Sequence, residues 1–203
     1  MSPDQRLVLV RHGRTTWNAE GRFQGQADPP LDDLGWEQAR RAAEVVAAMR
    51  PAAIVASDLR RAHQTAVMVG AACGLVPSTD HRLREIALGG WEGLDREEAA
   101  RLFPAEYAAW TAGRDVCRGG GETQAEAGAR VATALLGFLW RAGPGRTVVA
   151  VSHGLALQGA MDVLATGGLI QLGGARPPHL GNGEWIVLRV ARTADRQGAG
   201  YAA

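Results

Sequence analysis

Two histidines, each ending an aliphatic run and each followed by glycine, carry the chemistry most open to this sequence. Leu7-Val8-Leu9-Val10 stops at Arg11-His12-Gly13-Arg14, and Thr147-Val148-Val149-Ala150-Val151 stops at Ser152-His153-Gly154. A neutral imidazole can serve as nucleophile, base or metal ligand near pH 7. A short apolar run ended by a breaker suits a strand buried on both faces of a parallel sheet. Ligands of open α/β sheets gather at the C-terminal ends of such strands. If the two runs are parallel neighbours, His12 and His153 meet at that edge with Arg11 beside them. Singly, each histidine reads as readily as a hydrogen-bonded structural residue; the repetition of the pattern favours a site.

A third run, Ile54-Val55-Ala56, leads into Ser57-Asp58-Leu59-Arg60-Arg61-Ala62. Ser57 suits an N-cap and Asp58 the first turn of a helix. Leu59, Ala62, Ala66, Val69 and Cys73 form its buried stripe, and Gly74 ends it. Arg61 lies next to Ala62 on that stripe, so Arg61 rather than Arg60 is expected to point into the site. A helix N-terminus already attracts anions, and a guanidinium adds a planar fork matched to phosphate oxygens. The polar loop from Arg14 to about Asp33 is long for a compact domain. Its Asn18 and Arg22 are either solvated or folded over a bound anion. Glu85, between apolar neighbours and close to Gly89-Gly90, reads by itself as a surface carboxylate paired with Arg82 or Arg84. Two arginines and a second histidine around one imidazole describe a pocket for a dianion, and the chemistry that uses such a pocket is phosphoryl transfer through histidine.

Competing uses are disfavoured. HExxH and CxxC are absent, and an arginine beside a ligand opposes cation binding, so no metal and no cofactor are expected. GxxxxGK[ST], GxGxxG after a strand and GxSxG are absent too. The formal net charge of +1 argues against a nucleic-acid partner. All 22 cationic side chains are arginine, which weakens each one singly as a phosphate signal. Cys73 and Cys117 make no disulfide framework and read as free thiols in a reducing, cytoplasmic setting. No apolar leader or membrane span is expected, the apolar stretch from Gly154 to Leu172 being broken by Gln158, Asp162 and glycines.

These residues need a scaffold, and 203 residues suffice for one α/β domain, read as 1–192 with a flexible tail at 193–203. A helix capped by Asp32 or Asp33 packs Ala39, Ala42, Ala43, Val46 and Met49 and ends at Pro51. Val76 to Thr79 suits an edge strand, and 95–121 gives short helical segments. A helix capped near Glu122 or Thr123 buries Val131, Ala134, Leu135, Phe138 and Leu139. After the His153 strand come a helix over Leu155 to Leu164, a loop with Arg176 and His179, and a last strand from Glu184 to Val190. Alternating strands and helices make a mostly parallel central sheet with helices on both faces.

The run Arg11-His12-Gly13-Arg14-Thr15-Thr16-Trp17-Asn18 resembles the signature of the histidine phosphatase superfamily, in its phosphoglycerate-mutase-like branch. The likeness continues through Gly21-Arg22-Phe23-Gln24-Gly25, Asp28-Pro29-Pro30-Leu31, Ser57-Asp58-Leu59-Arg60-Arg61-Ala62, Leu83-Arg84-Glu85, Gly89-Gly90-Trp91-Glu92-Gly93 and Val151-Ser152-His153-Gly154. It implies a phosphoglycerate-mutase-like fold and His12 as the nucleophile that becomes phosphohistidine. It implies a phosphoryl clamp of Arg11, Arg61 and His153, with Asn18, Arg22, Gln24 and Gly25 on the substrate. Glu85 is implied as the general acid–base, a role that requires a carboxyl partly protonated near neutral pH, as burial can provide. His12 must be neutral at its attacking nitrogen, so its other nitrogen is expected to donate to a backbone carbonyl. Mutases of the family carry a tyrosine three residues beyond this glutamate; Leu88 stands there, and the loop is short. The resemblance therefore implies metal-independent hydrolysis of a small phosphorylated metabolite, with mutase-type transfer or a non-catalytic binder as alternatives. Trp91, Trp110, Arg114, Arg118 and His179 are further candidates for the substrate side, and a homodimer is the assembly that the resemblance suggests.

Overall fold

Leu7, Val8, Leu9 and Val10 are all fully buried, as a run without polar alternation requires of a central parallel strand. The computed structural model describes residues 5–171 and 178–191. Its elements are β1 (Gln5–Arg11), α1 (Thr16–Ala19), α2 (Asp33–Ala48), β2 (Ala53–Ala56), α3 (Arg60–Cys73), β3 (Ser78–Thr79), α4 (Arg96–Leu102), α5 (Pro104–Thr111), α6 (Gln124–Ala142), β4 (Thr147–Ser152), α7 (Gly154–Thr166) and β5 (Trp185–Val190). They build a five-stranded sheet in the order β3-β2-β4-β1-β5. The first four strands are parallel, and β5 closes one edge antiparallel to β1. The expected mostly parallel α/β sheet is observed. Arg176 and the tail from Thr193 lie outside the described residues.

Side chains alternate across the sheet and meet a helix pair on each face. Leu7, Leu9, Val148 and Ala150 pack with α6 and α7 through Val131, Leu135, Leu157 and Met161. Val8, Val10, Val149 and Val151 pack with α2 and α3 through Ala42, Val46, Ala62 and Val69. The register pairs Arg11 with Ser152, so the next residues, His12 and His153, leave the sheet side by side. A third, aromatic cluster surrounds the fully buried Trp91 with Phe23, Phe103, Tyr107 and Trp110.

Local chemistry departs from the sequence expectation in two places near the site. The loop after Arg14 contains a short helix, α1, closed by a capping box between Thr15 and Asn18. Helix α3 starts at Arg60 with Leu59 as an N-cap that offers no side-chain bond. Asp58 is drawn off to an ion pair with Arg84, and Asp28, from the loop before α2, accepts from Arg60 N at 2.6 Å instead. The other caps follow the sequence: Asp32 accepts from Gly35 N, Thr123 caps α6, and Gly74 ends α3 at a φ of 67°.

Candidate active site

His12 is placed by its backbone before its side chain does anything. Its N–H donates to Ser152 O at 3.0 Å, continuing the ladder one step past β1. Gly13 then crosses the start of α2 so closely that a Cβ there would stand 2.2 Å from Gly35 O. Gly13 N donates to Thr65 Oγ1, which in turn donates to Arg61 O. The chain beyond Gly13 is held by Arg14, whose N–H donates to Gln38 and whose guanidinium pairs with Asp32. From the far side, Asn182 Nδ2 donates to His12 O and Asn18 Oδ1, both at 3.2 Å.

The His12 ring is fixed in one tautomer. Nδ1 lies 2.6 Å from Gly13 O, so it carries the proton and donates. Nε2 is the acceptor, and Arg61 Nε donates to it at 3.3 Å. The His153 ring is 5.1 Å away, tilted by 60°. Both imidazoles are held well below the usual histidine pKa, first by burial and then by Arg61, with Arg11 adding to the effect. Both rings are therefore neutral at pH 7.

Arg61 is fully buried, as its place beside the α3 stripe predicts, whereas Arg60 is exposed. Its fork is braced by loop carbonyls, Nη1 to Ala27 O at 2.6 Å and Nη2 to Gly25 O at 2.8 Å. Burial lowers its pKa to about 10, still fully charged near neutrality. Gly25 has a φ of 51°, and a Cβ there would press on Glu92, so glycine is required for that carbonyl to reach Arg61. Arg11 Nη1 donates to Leu180 O at 2.7 Å and lies 3.3 Å from His179 Nε2. Gly154 leaves Arg11 its space, because a Cβ there would stand 3.2 Å from Arg11 Cζ.

Glu85 is not paired with Arg82 or Arg84, which take Asp80 and Asp58. Its Oε1 accepts from Ile86 N at 3.0 Å and Ala156 N at 2.8 Å, and its Oε2 accepts from Leu155 N at 3.3 Å. The carboxylate thus sits on the first turn of α7, beside His153. Arg130 braces the backbone beneath it, donating to the carbonyls of Arg82 and Arg84 at 2.8 and 3.0 Å.

Arg11, His12, Asn18, Arg22, Gln24, Gly25, Arg61 and Glu85 all line one cavity of about 170 Å³ with Phe23, Leu88, Trp110, Arg118 and His179. His153 lies just beneath it. Trp91 is sealed inside the aromatic cluster and Arg114 faces an adjoining hollow, so neither lines this cavity. Asn18 Oδ1 meets donors from Thr15 and Asn182, which turns its NH2 group the other way. Gln24 Oε1 accepts from Thr15 Oγ1, and Arg22 is engaged by Glu20, Glu98 and Gly93 O. Three buried side-chain nitrogens lack a partner among the described residues: Arg11 Nε and both ring nitrogens of His153. Larger hollows exist, of about 480 Å³ beside β5 and about 420 Å³ at the start of α6, but neither contains a histidine. No group of three His, Cys, Asp or Glu among the described residues could hold a metal ion, and no helix is long and apolar enough to cross a membrane.

A family model described as histidine phosphatase superfamily (branch 1) matches residues 7–196. The chain belongs to that superfamily and is a phosphoric monoester hydrolase. It is 39% identical over 207 residues to the glucosyl-3-phosphoglycerate phosphatase of Mycolicibacterium vanbaalenii, covering 98% of this chain and 90% of that protein. The enzyme of the same name from Mycobacterium tuberculosis strain H37Rv is 39% identical over 194 residues, with 91% and 85% covered. A solved mycobacterial glucosyl-3-phosphoglycerate phosphatase in complex with VO3 superposes with a TM-score of 0.78 at 37% identity, covering 90% of each chain.

Proposed function

We propose that the enzyme hydrolyses a small phosphomonoester, a phosphorylated sugar or glycerate derivative, without a metal and through a phosphohistidine at His12. The supporting observation is that Arg11 Nε and the His153 ring nitrogens, buried and without a protein partner, gather around the one imidazole whose tautomer is fixed, with Nδ1 on Gly13 O and Nε2 left as the acceptor. In the first step His12 Nε2 attacks phosphorus. The P–O ester bond breaks, and its electron pair leaves on the alcohol oxygen, which takes a proton from Glu85. The proton belongs on Glu85 Oε2, which receives the single long backbone bond, while Oε1 is occupied twice. As the lone pair turns to phosphorus, Arg61 Nε transfers its hydrogen bond from Nε2 to an equatorial oxygen. Arg11 Nε and a ring N–H of His153 bind the other oxygens, and the Asn18 amide assists. In the second step Glu85 takes a proton from water, the hydroxide oxygen bonds to phosphorus, and the N–P bond returns its pair to Nε2. Alcohol and inorganic phosphate are the products.

In this reading Gly25 acts through the carbonyl that braces Arg61, Gln24 fixes Thr15, and Arg22 forms the outer wall. Hydrolysis is favoured over mutase-type transfer by Leu88, Phe23 and Ile86 on the cavity wall, which give a released alcohol little to hold. The two unpaired cysteines fit a cytoplasmic setting. Release of p-nitrophenolate from p-nitrophenyl phosphate in excess EDTA, abolished in His12→Ala, is the expected test result. Activity that needs a metal, or that survives His12→Ala, overturns the reading.

A further inference from the structure

Glu85 stands on a stretch of chain with no regular structure of its own. After the short turn His81–Leu83, residues 84–88 belong to neither helix nor strand. Their backbone groups still need partners, and side chains supply them. Arg130 Nη1 donates to Arg82 O at 2.8 Å and Arg84 O at 3.0 Å, and Nη2 reaches Glu85 O at 3.4 Å. Ser152 Oγ donates to Leu83 O, and Gln26 Nε2 shares Glu85 O. Beyond the acid, Ala87 N donates to Glu122 Oε2 at 3.0 Å, and Ala87 O accepts from Glu122 N at 2.9 Å. Arg130 and Glu122 grip each other with two prongs, Nε to Oε1 at 2.9 Å and Nη2 to Oε2 at 2.7 Å. One ion pair therefore holds the chain both before and after Glu85.

The chemistry of the pair suits this use. A guanidinium has five N–H groups in a fixed plane, and all five of Arg130 have acceptors. Burial pushes the Glu122 carboxyl up, but Arg130 and Ala87 hold it below the usual carboxylate range, so Glu122 is ionised near neutrality. Neither residue lines the His12 cavity. The frame behind them is stiff. Helix α6 carries Arg130, and α7 offers the N–H groups of Leu155 and Ala156 to the Glu85 carboxylate. The two helices meet backbone to backbone: a Cβ on Gly128 would stand 2.6 Å from Gly159 C, and one on Gly159 2.9 Å from Gln124 O. Glu85 is thus fixed at its main chain by α6 and at its carboxylate by α7.

We propose that Arg130, paired with Glu122, is a positioning residue for proton transfer, setting the Glu85 main chain so that the carboxyl reaches the ester oxygen and then the attacking water. Misplacing such a group by about 1 Å can cost about 100-fold in rate. The inference rests on the phosphatase reading above, in which Glu85 is the acid–base, and adds to it the device that aims that residue.

The test is a double-mutant cycle between Arg130→Met and Glu85→Gln, read as single-turnover phosphate release from phenyl phosphate with enzyme in excess. On its own, Arg130→Met is expected to slow release by roughly 10- to 100-fold, with orthovanadate affinity unchanged. In the Glu85→Gln background it is expected to cost nothing further, because no proton is left to aim. A loss of the same size in both backgrounds overturns the proposal and marks Arg130 as a support of the fold alone. Unchanged release in Arg130→Met overturns it as well. If Arg130→Met no longer binds orthovanadate, Glu122→Gln carries the same cycle, since it keeps an acceptor for Ala87 N and undoes one prong of the pair. Its loss is expected to be roughly 10-fold and confined to the Glu85 background; a loss in both, or in neither, overturns the proposal. Full turnover in Glu85→Gln by itself would instead refute the acid–base reading beneath it.

Discussion

Replacing Glu85 by glutamine separates turnover from binding. Glutamine retains the oxygen that accepts from Ile86 and Ala156 at 3.0 and 2.8 Å. Its NH2 group replaces Oε2 and faces the N–H of Leu155, which loses its 3.3 Å acceptor. One backbone donor unmet in a half-buried setting costs about 1–3 kcal/mol of stability, which a domain of this size tolerates. The chemical consequence is larger. Without a proton to give or a base to receive one, turnover of an alkyl phosphate is expected to fall by roughly 100- to 10,000-fold, or about 2.7–5.4 kcal/mol of barrier. Binding is expected to be retained or to tighten, because the neutral amide, like the protonated carboxyl of the proposed first step, sets no charge against the dianion while Arg11, Arg61 and Arg118 remain on the cavity wall. Steady-state release of phosphate from an alkyl monoester, run beside calorimetric titration with orthovanadate, reads both quantities. On p-nitrophenyl phosphate, whose leaving group needs little protonation, the variant is expected to give a burst of one p-nitrophenolate per site followed by slow turnover. Alkyl phosphate turnover close to the unaltered rate would remove Glu85 from the acid–base role. A parallel loss of vanadate affinity would recast it as a strut for α7.

Arg61→Ala removes the donor to His12 Nε2 and is expected to weaken orthovanadate binding by roughly 10- to 100-fold in the same calorimetric titration; unchanged affinity would mean that another arginine grips the phosphoryl group. His12 and His153 are neutral when folded and titrate near 6.5 when unfolded, so the unfolded chain binds the extra protons. Stability is therefore complete above about pH 6.5 and is expected to fall below it, by up to about 1.4 kcal/mol per histidine per pH unit, in urea titrations between pH 7.5 and 5.5; a flat profile would place a proton on these rings already. Asn182→Ala unties Asn18 and the His12 carbonyl together, and kcat/KM is expected to drop roughly 5- to 10-fold while the urea midpoint shifts little; unchanged kinetics would make Asn182 a loop tie only.

What could be read from the sequence was local or periodic. The two aliphatic runs ending in His-Gly announced β1 and β4, and the parallel register then had to bring the rings together. Arg61 was legible because its neighbour Ala62 belongs to a helical stripe. Glu85 was not legible in the same way, because its partners are backbone N–H groups of α7, about seventy residues along the chain, and no pattern of side chains records them. Asn182 was missed for the same reason: Gly181-Asn182-Gly183 reads as a turn, and only the antiparallel return into β5 lays it against His12. Ser57 misled because capping preference is a local quantity, and the ion pair between Asp58 and Arg84 determines how the chain leaves β2. Trp91 and Arg114 looked equal to Trp110 and Arg118 as substrate-side candidates, and packing alone separated them.

The central claim is a covalent one, and trapping the intermediate tests it most directly. Glu85→Gln protein, mixed with a phosphomonoester and quenched in alkali within milliseconds to seconds, is to be read by intact mass and then by peptide mapping. One phosphoryl group per chain, alkali-stable, acid-labile, seated on His12 and absent after His12→Ala, is the expected result. Phosphate release through a chain that never gains that mass, or a phosphoryl group found on any other residue, would contradict it.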